Sequence, residues 1–461
     1  MQKKWFEIHD KRFLMILLCG ILFINIVYAG QTGQDTLRLD WETAWQLAQD
    51  KNEGQKLAEN EYNKARYQVK EAYSYAMPTI AFNSYFNHYF EIPSVIFNLP
   101  SMGGAPAMRI KTQMAQENNI GADISLTQPV WLAGKVGIAL KVAQEYAQIS
   151  KMGIQVSKED LKVALLQGFY GTIIAEEYLS VSRDALAQAQ RYQEQVEDMF
   201  EQGIVSEYDL IRAKVAVSNY IPMISQAEAG RDLALKGLKN MIGMDVDKPI
   251  RVSGDLDMAM TIPELEYEQA TDYALDKRLE VKQLELQKRL FGYQKKVEKR
   301  NWLWPNLLVG LKWETMAQRD NMEISKYEFL SGFSGQVILN IPLFDGFASK
   351  NRAQIAQVNM RNVDLQISQA KRGIQLQVFQ TLRTYQRSEE ELVAAFENLE
   401  QAQKGYSIAE TRYSGGIGTQ LEVLDAQIQL NQSKVNLLQA KFNKLVAVAG
   451  YERAIGKGFT H

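Results

Sequence analysis

One cysteine and three histidines stand among 461 residues, and the formal net charge is only −2. Cys19 lies in an apolar stretch near the start, so the chain beyond it has no thiol for a disulfide, a cysteine metal site or a cysteine nucleophile. His9, His88 and His461 are too few and too scattered for a histidine metal set. No nucleophile elbow or phosphate loop appears, so the reading is not an enzyme, with no catalytic, metal or cofactor residues. The near-neutral charge offers nucleic acid nothing to bind. After residue 30 no apolar run reaches 18 residues, so any hold on a membrane must come from strands.

Residues 1–29 read as a signal peptide: basic, then apolar from Phe13, then Val27-Tyr28-Ala29 as a small-residue cleavage pattern. An uncleaved anchor is the alternative. Leu18, where a lipoprotein signal wants a small residue, argues against lipidation of Cys19.

What is present is a duplication. "MFEQGIVSEYDLIRAK" (199–214) and "RYSGGIGTQLEVLDAQ" (412–427) align at an offset of 213, Gly203 on Gly416 and Ile204 on Ile417. Pro129 meets Pro342 at the same offset, whereas Pro78 and Pro305 lie 227 apart, which places a 14-residue insertion between the first copy's two prolines. Two long copies follow, 30–263 and 264–461.

Each copy reads as helix, strand pair and helical hairpin. The first has a helix at 41–77, strands at about 79–90 and 119–130, and a hairpin over 133–242. The second has a helix at 264–302, strands at about 306–315 and 331–342, and a hairpin over 347–450. Ile120, Ala122, Ile124 and Leu126 alternate with Gly121, Asp123, Ser125 and Thr127, giving a strand with one dry and one wet face. Pro78, Pro129, Pro305 and Pro342 mark the helix–strand junctions. Trp131, Trp302 and Trp304 near them suit either a core or a membrane–water boundary. The glycine-rich "SMGGAPAM" (101–108) reads as an external loop. Each long helix implies ~100 Å of rod at 1.5 Å per residue, and Pro222 is expected to kink one return leg. Leu421, Leu424, Ile428, Asn431, Val435, Leu438, Phe442, Leu445 and Ala449 keep heptad spacing, with Asn431 the one polar member.

These pieces, in this order, resemble the TolC-like outer-membrane efflux family across essentially the whole mature chain. The residues that carry the resemblance are the twin tips "QGIVSEYDL" and "SGGIGTQLEVLDA", the openings "LDWETAWQLAQDKN" and "ALDKRLEVKQLEL", and the "PVW" and "PLFDG" junctions. The resemblance implies a mainly α fold with a small β part. Three chains would close a 12-stranded β-barrel in the outer membrane, continuing into a periplasmic α-helical barrel.

It further implies a passive exit duct of a tripartite efflux or type I secretion system, fed by an inner-membrane pump of RND or ABC type through a periplasmic adaptor (membrane fusion protein). Gly203, Ile204, Gly416 and Ile417 would be the adaptor-docking tips. Glu422 and Asp425, three apart on one helix face, match the family's acidic ring at the pore entrance, and Tyr413 its gate tyrosine. For the acids, favourable placement near a helix N-terminus is the competing explanation. One departure stands out: Gly418 occupies the position of the family's gate arginine. The rival reading is a periplasmic coiled-coil adaptor or structural stalk, which would need one hairpin rather than two, each with its own strand pair.

Overall fold

The computed structural model describes residues 37–99, 108–257, 266–302 and 304–457. The expected signal peptide, Cys19 and residues 101–107 of the glycine-rich insertion lie outside them.

In the first copy β1 (Leu37–Leu39) precedes α1 (Trp41–Lys51) and α2 (Glu53–Ser74), then β2 (Thr79–His88), β3 (Ser94–Leu99), β4 (Met108–Gln113) and β5 (Asn118–Leu132). The hairpin α3 (Lys135–Glu201) and α4 (Glu207–Met241) follows, and β6 (Ile250–Val252) returns to pair in parallel with β1. The second copy runs α5 (Tyr267–Lys277), α6 (Leu279–Asn301), β7 (Asn306–Arg319), β8 (Leu330–Asn340), α7 (Ala348–Ser414) and α8 (Gln420–Ile455).

The helix expected at 41–77 is two helices, broken at Asn52 and ending at Ser74; the one expected at 264–302 begins at Tyr267 and breaks at Arg278. Both break residues are extended, with ψ near 126° and 127°. The cause is tertiary. The Asn52 amide caps the Gln55 N–H and donates to the Met241 carbonyl, while Arg278 reaches the Ala454 carbonyl. Helical periodicity carries no trace of such a bond. The insertion holds more than a loop, since β3 and β4 pair as an extra antiparallel hairpin. Pro222 lies inside α4 without ending it.

Strands β2, β5, β7 and β8 form one antiparallel sheet in that order, so β2 and β8 are its edges. The register repeats the sequence offsets: Ile80 pairs with Leu126 as Leu307 does with Leu339, and Phe86 with Ile120 as Trp313 does with Phe333. One sheet face gathers these apolar residues; the other carries Asp123, Lys312 and Glu314. The apolar face is bare in a single copy, with Ile80 71 % and Phe333 72 % exposed. Trp131, Trp302 and Trp304, at the sheet base, are also about half exposed, so none is core.

Below the sheet, α2 packs along α3, and α6 packs along both α3 and α7. Two buried clusters secure the helices midway. One joins α1, α3, α4 and α8 around Leu165, Phe169, Leu238 and Ile242. The other joins α5, α6, α7 and α8 around Val281, Val378, Tyr451 and Ile455. Tyr451 and Ile455 sit 213 positions after Leu238 and Ile242, so the cores are copies too. Helix α8 buries Leu445 and Ala449 of the expected heptad row, but nearer the tip it buries Gln420, Val423, Gln427, Leu430, Leu437 and Ala440 instead. Leu421 and Ile428 of that row are exposed, because α8 lies against both α7 and α3 and its buried stripe is turned to meet both.

Candidate functional site at the hairpin tips

The two hairpins turn by the same device. Gly203 (φ 71°) and Gly416 (φ 74°) are left-handed. The Ile204 N–H returns to the Met199 carbonyl at 2.8 Å, and that of Ile417 to Arg412 at 2.9 Å. Open space surrounds the position a Cβ would take at both glycines, so backbone conformation and not crowding requires them. The turns push Ile204 and Ile417 outward, 62 % and 78 % exposed.

The return helices start differently. Ser206 and Asp209 form a reciprocal capping box. In the second copy Thr419 caps the Glu422 N–H at 3.3 Å. The Glu422 carboxylate instead lies 3.9 Å from the Arg412 guanidinium. Glu422 occupies the place of Asp209, yet its charge faces outward rather than satisfying its own helix end.

Asp425, exposed one turn further along α8, lines a groove of about 790 Å³ between α4 and α8, floored by α3. Arg212 lines the same groove, its guanidinium 5.7 Å from the Tyr208 ring. Arg212 stands 213 positions before Asp425, so the duplication sets a cation where the other copy has an acid. Composition gives no hint of this residue, whereas the offset would have found it. Ile211, Val215, Leu424 and Ile428 make the groove's apolar surface, and Asn431 donates to the Tyr220 hydroxyl at 3.3 Å within it.

Tyr413 is not with the acids. It is half-buried between the hairpins, its ring 5.8 Å from that of Tyr192 and its hydroxyl 3.8 Å from Met199 Sδ. Burial pushes the Tyr192 hydroxyl's pKa up, so that phenol stays neutral. A second link, the Gln420 side-chain amide donating to the Asp209 carbonyl at 2.9 Å, ties the same two tips. Gly418 is crowded: a Cβ there would stand 3.0 Å from the Tyr413 nitrogen and 3.1 Å from Arg412. This turn leaves no ready room for an arginine at 418; the nearest cation is Arg412.

Among the described residues no helix is long and apolar enough to cross a membrane, a statement that says nothing of a barrel. The family model described as "Outer membrane efflux protein" matches residues 271–457. No curated protein matches the sequence. Solved structures match the fold nearly end to end. A membrane protein from Pseudomonas aeruginosa shares 14 % identity at a TM-score of 0.72, over 91 % of this chain and 90 % of that one. The Campylobacter jejuni CmeC outer membrane channel shares 16 % at 0.71, over 91 % and 86 %. The open state of the Neisseria gonorrhoeae MtrE outer membrane channel shares 14 % at 0.70, over 90 % and 89 %. Residues 271–457 thus match the outer membrane efflux protein model in sequence, and the described chain shares the fold of solved outer membrane channels.

Proposed function

We propose that this chain is the outer-membrane exit duct of a tripartite efflux or secretion machine, conducting substrates passively. The observation that carries the reading is the four-stranded sheet, apolar on one face and open at both edges, set on two 67-residue helices. An open edge cannot stay in lipid, so further copies must complete the sheet. The helices show the same incompleteness: α6 lies between two long helices, while its counterpart α2 lies against one. A neighbour's α7 supplies the missing contact. Three copies would give twelve strands and a homotrimer.

In that assembly the tips lie together at the periplasmic end. Ile204 and Ile417 offer apolar contacts to a periplasmic adaptor, through which an inner-membrane pump feeds the duct. Glu422 and Asp425 of three chains form an acidic ring around the entrance, and Tyr413 with Gln420 holds the two hairpins of a chain together. The stalk reading does not account for a strand pair joined to each hairpin. The test is the mass of the purified protein in non-ionic detergent, with its membrane fraction. A heat-sensitive trimer from the outer membrane is expected; a monodisperse monomer with full strand content would overturn the reading.

A further inference from the structure

A cavity of about 450 Å³ opens where the two copies meet, between α1 and α3 of the first and the α5–α6 break and end of α8 of the second. It lies some forty residues of α3 from the tip, roughly 60 Å at 1.5 Å per residue. Val163, Leu166, Leu279 and Ala449 give it an apolar floor, and Trp45 forms one wall. Lys158 and Lys162, one helical turn apart on α3, each hold their ammonium 5.7 Å from the centre of that indole. Lys277, Arg453 and Lys457 line the rest, against a single lining carboxylate, Glu159.

The cations are not equally engaged. Arg453 is held by Glu159 at 3.2 Å, Asp160 at 2.9 Å and Glu280 at 3.1 Å, and Lys277 by Asp276 at 2.9 Å. Among the described residues, no ion pair is made by Lys158 or Lys457 within 4.0 Å. The nearby Glu452 carboxylate attracts Lys162 and Lys457, but it is itself buried, and burial pushes its carboxyl up. Two ammoniums at i and i+4 repel each other. The indole face offsets part of that repulsion. An oxyanion between them would meet both charges at once, with a flat apolar body resting on Trp45 and the floor.

We propose that this cavity binds a small anionic amphiphile, a single oxyanion on a flat apolar body, with its head between Lys158 and Lys162. Since both copies build the walls, the occupant joins α3 to the end of α8.

The test uses the full-length protein in non-ionic detergent, with 2-naphthoate as the probe and uncharged 2-naphthamide as its control, followed by calorimetry. Saturable binding of one naphthoate per chain is expected, with naphthamide weaker by about tenfold or more. Lys158→Gln with Lys162→Gln should weaken naphthoate by at least about tenfold, and Trp45→Leu severalfold. Oligomer yield and Tm are checked in each variant. Should the double variant fail to assemble, Lys158→Gln alone, at an exposed position, carries the test. Absence of saturable binding at millimolar probe, equal binding of naphthamide, or unchanged affinity in the lysine variants overturns the assignment.

Discussion

The Asn52 side-chain amide donates to the Met241 carbonyl at 2.9 Å, pinning a break between two helices onto the end of a third. The second copy makes the same bond with different chemistry: Arg278, 226 positions on, reaches the carbonyl of Ala454, 213 positions on, at 3.4 Å. An amide is satisfied there by a carbonyl. A guanidinium, 9 % exposed, also needs counter-charge, and takes it from Glu280 at 2.7 Å, which Arg453 shares. A joint held by one neutral hydrogen bond in the first copy is an ion network in the second.

That difference has a pH signature. Burial pushes the Glu280 carboxyl up, but the Arg278 hydrogen bonds and the charges of Arg278 and Arg453 outweigh it and hold the group at about 2. Its folded value is depressed, so its stabilisation is present above the unfolded carboxylate value of about 4.3 and is lost as pH falls toward about 2. The share at stake is about 2–3 kcal/mol. Glu280→Gln should lower Tm at neutral pH, because it leaves Arg278 less compensated, and flatten the acid limb of the Tm–pH curve. An acid limb identical to that of the parent protein would remove Glu280 from the joint's energetics.

The duplication also sets the register between copies. Within the chain Leu126 pairs with Leu311. In the proposed oligomer, carrying each partner to the other copy, by 213 and 227 positions, would set Leu339 opposite Ser84 of a neighbouring chain. Leu339→Cys with Ser84→Cys should give disulfide-linked oligomers on mild oxidation. Leu339→Cys with Tyr85→Cys, one residue off and on the other sheet face, should not. Linking equally well through both pairs would contradict this register.

In the proposed trimer Glu422 and Asp425 would bring six carboxylates to the entrance, where they would repel within a Debye length of ~8 Å and cations would relieve them. Planar-bilayer recordings should therefore show cation selectivity, with block by di- or trivalent cations from the periplasmic side. Glu422→Ala with Asp425→Ala should abolish that block without lowering trimer yield. A double variant blocked as strongly as the parent would place these acids outside the conducting path.

For the tips, Gly416→Val forces a β-branched residue into the left-handed region, at a local cost of about 1–2 kcal/mol. Adaptor crosslinking should fall while trimer assembly survives, since nothing lies within 4 Å of the place a Cβ at 416 would take. Ile417→Asp keeps the turn and should weaken crosslinking as well. If only the glycine variant weakens it, turn shape and not the isoleucine surface governs docking.

Much of this architecture was legible because period and punctuation act locally. Strand alternation, junction prolines and paired tip glycines each leave a mark at a fixed spacing. The breaks at Asn52 and Arg278 were not legible, since each is made by a bond to a carbonyl nearly 180 positions away or more. The tip-side half of the α8 burial face departs from the heptad row for a related reason: such a row assumes one partner, and this helix has two. At the tips the sequence singled out Glu422, Asp425 and Tyr413 but could not separate them, and the structure divides the exposed acids from the tyrosine wedged between hairpins. Arg212 escaped notice because its meaning lies only in its alignment with Asp425.

The two long helices, Lys135–Glu201 and Ala348–Ser414, contain 67 residues each, and the offset of 213 still holds at the left-handed glycines Gly243 and Gly456. One residue added to either helix would raise its tip by about 1.5 Å and rotate it by about 100°, taking that glycine and isoleucine out of line with their counterparts. Substitutions can accumulate along these rods so long as the count stays fixed. Residue number, rather than residue identity, is therefore what keeps the two tips level. The first copy's 14 extra residues sit at the far end, between β2 and β5, where an added loop leaves the length of both hairpins unchanged.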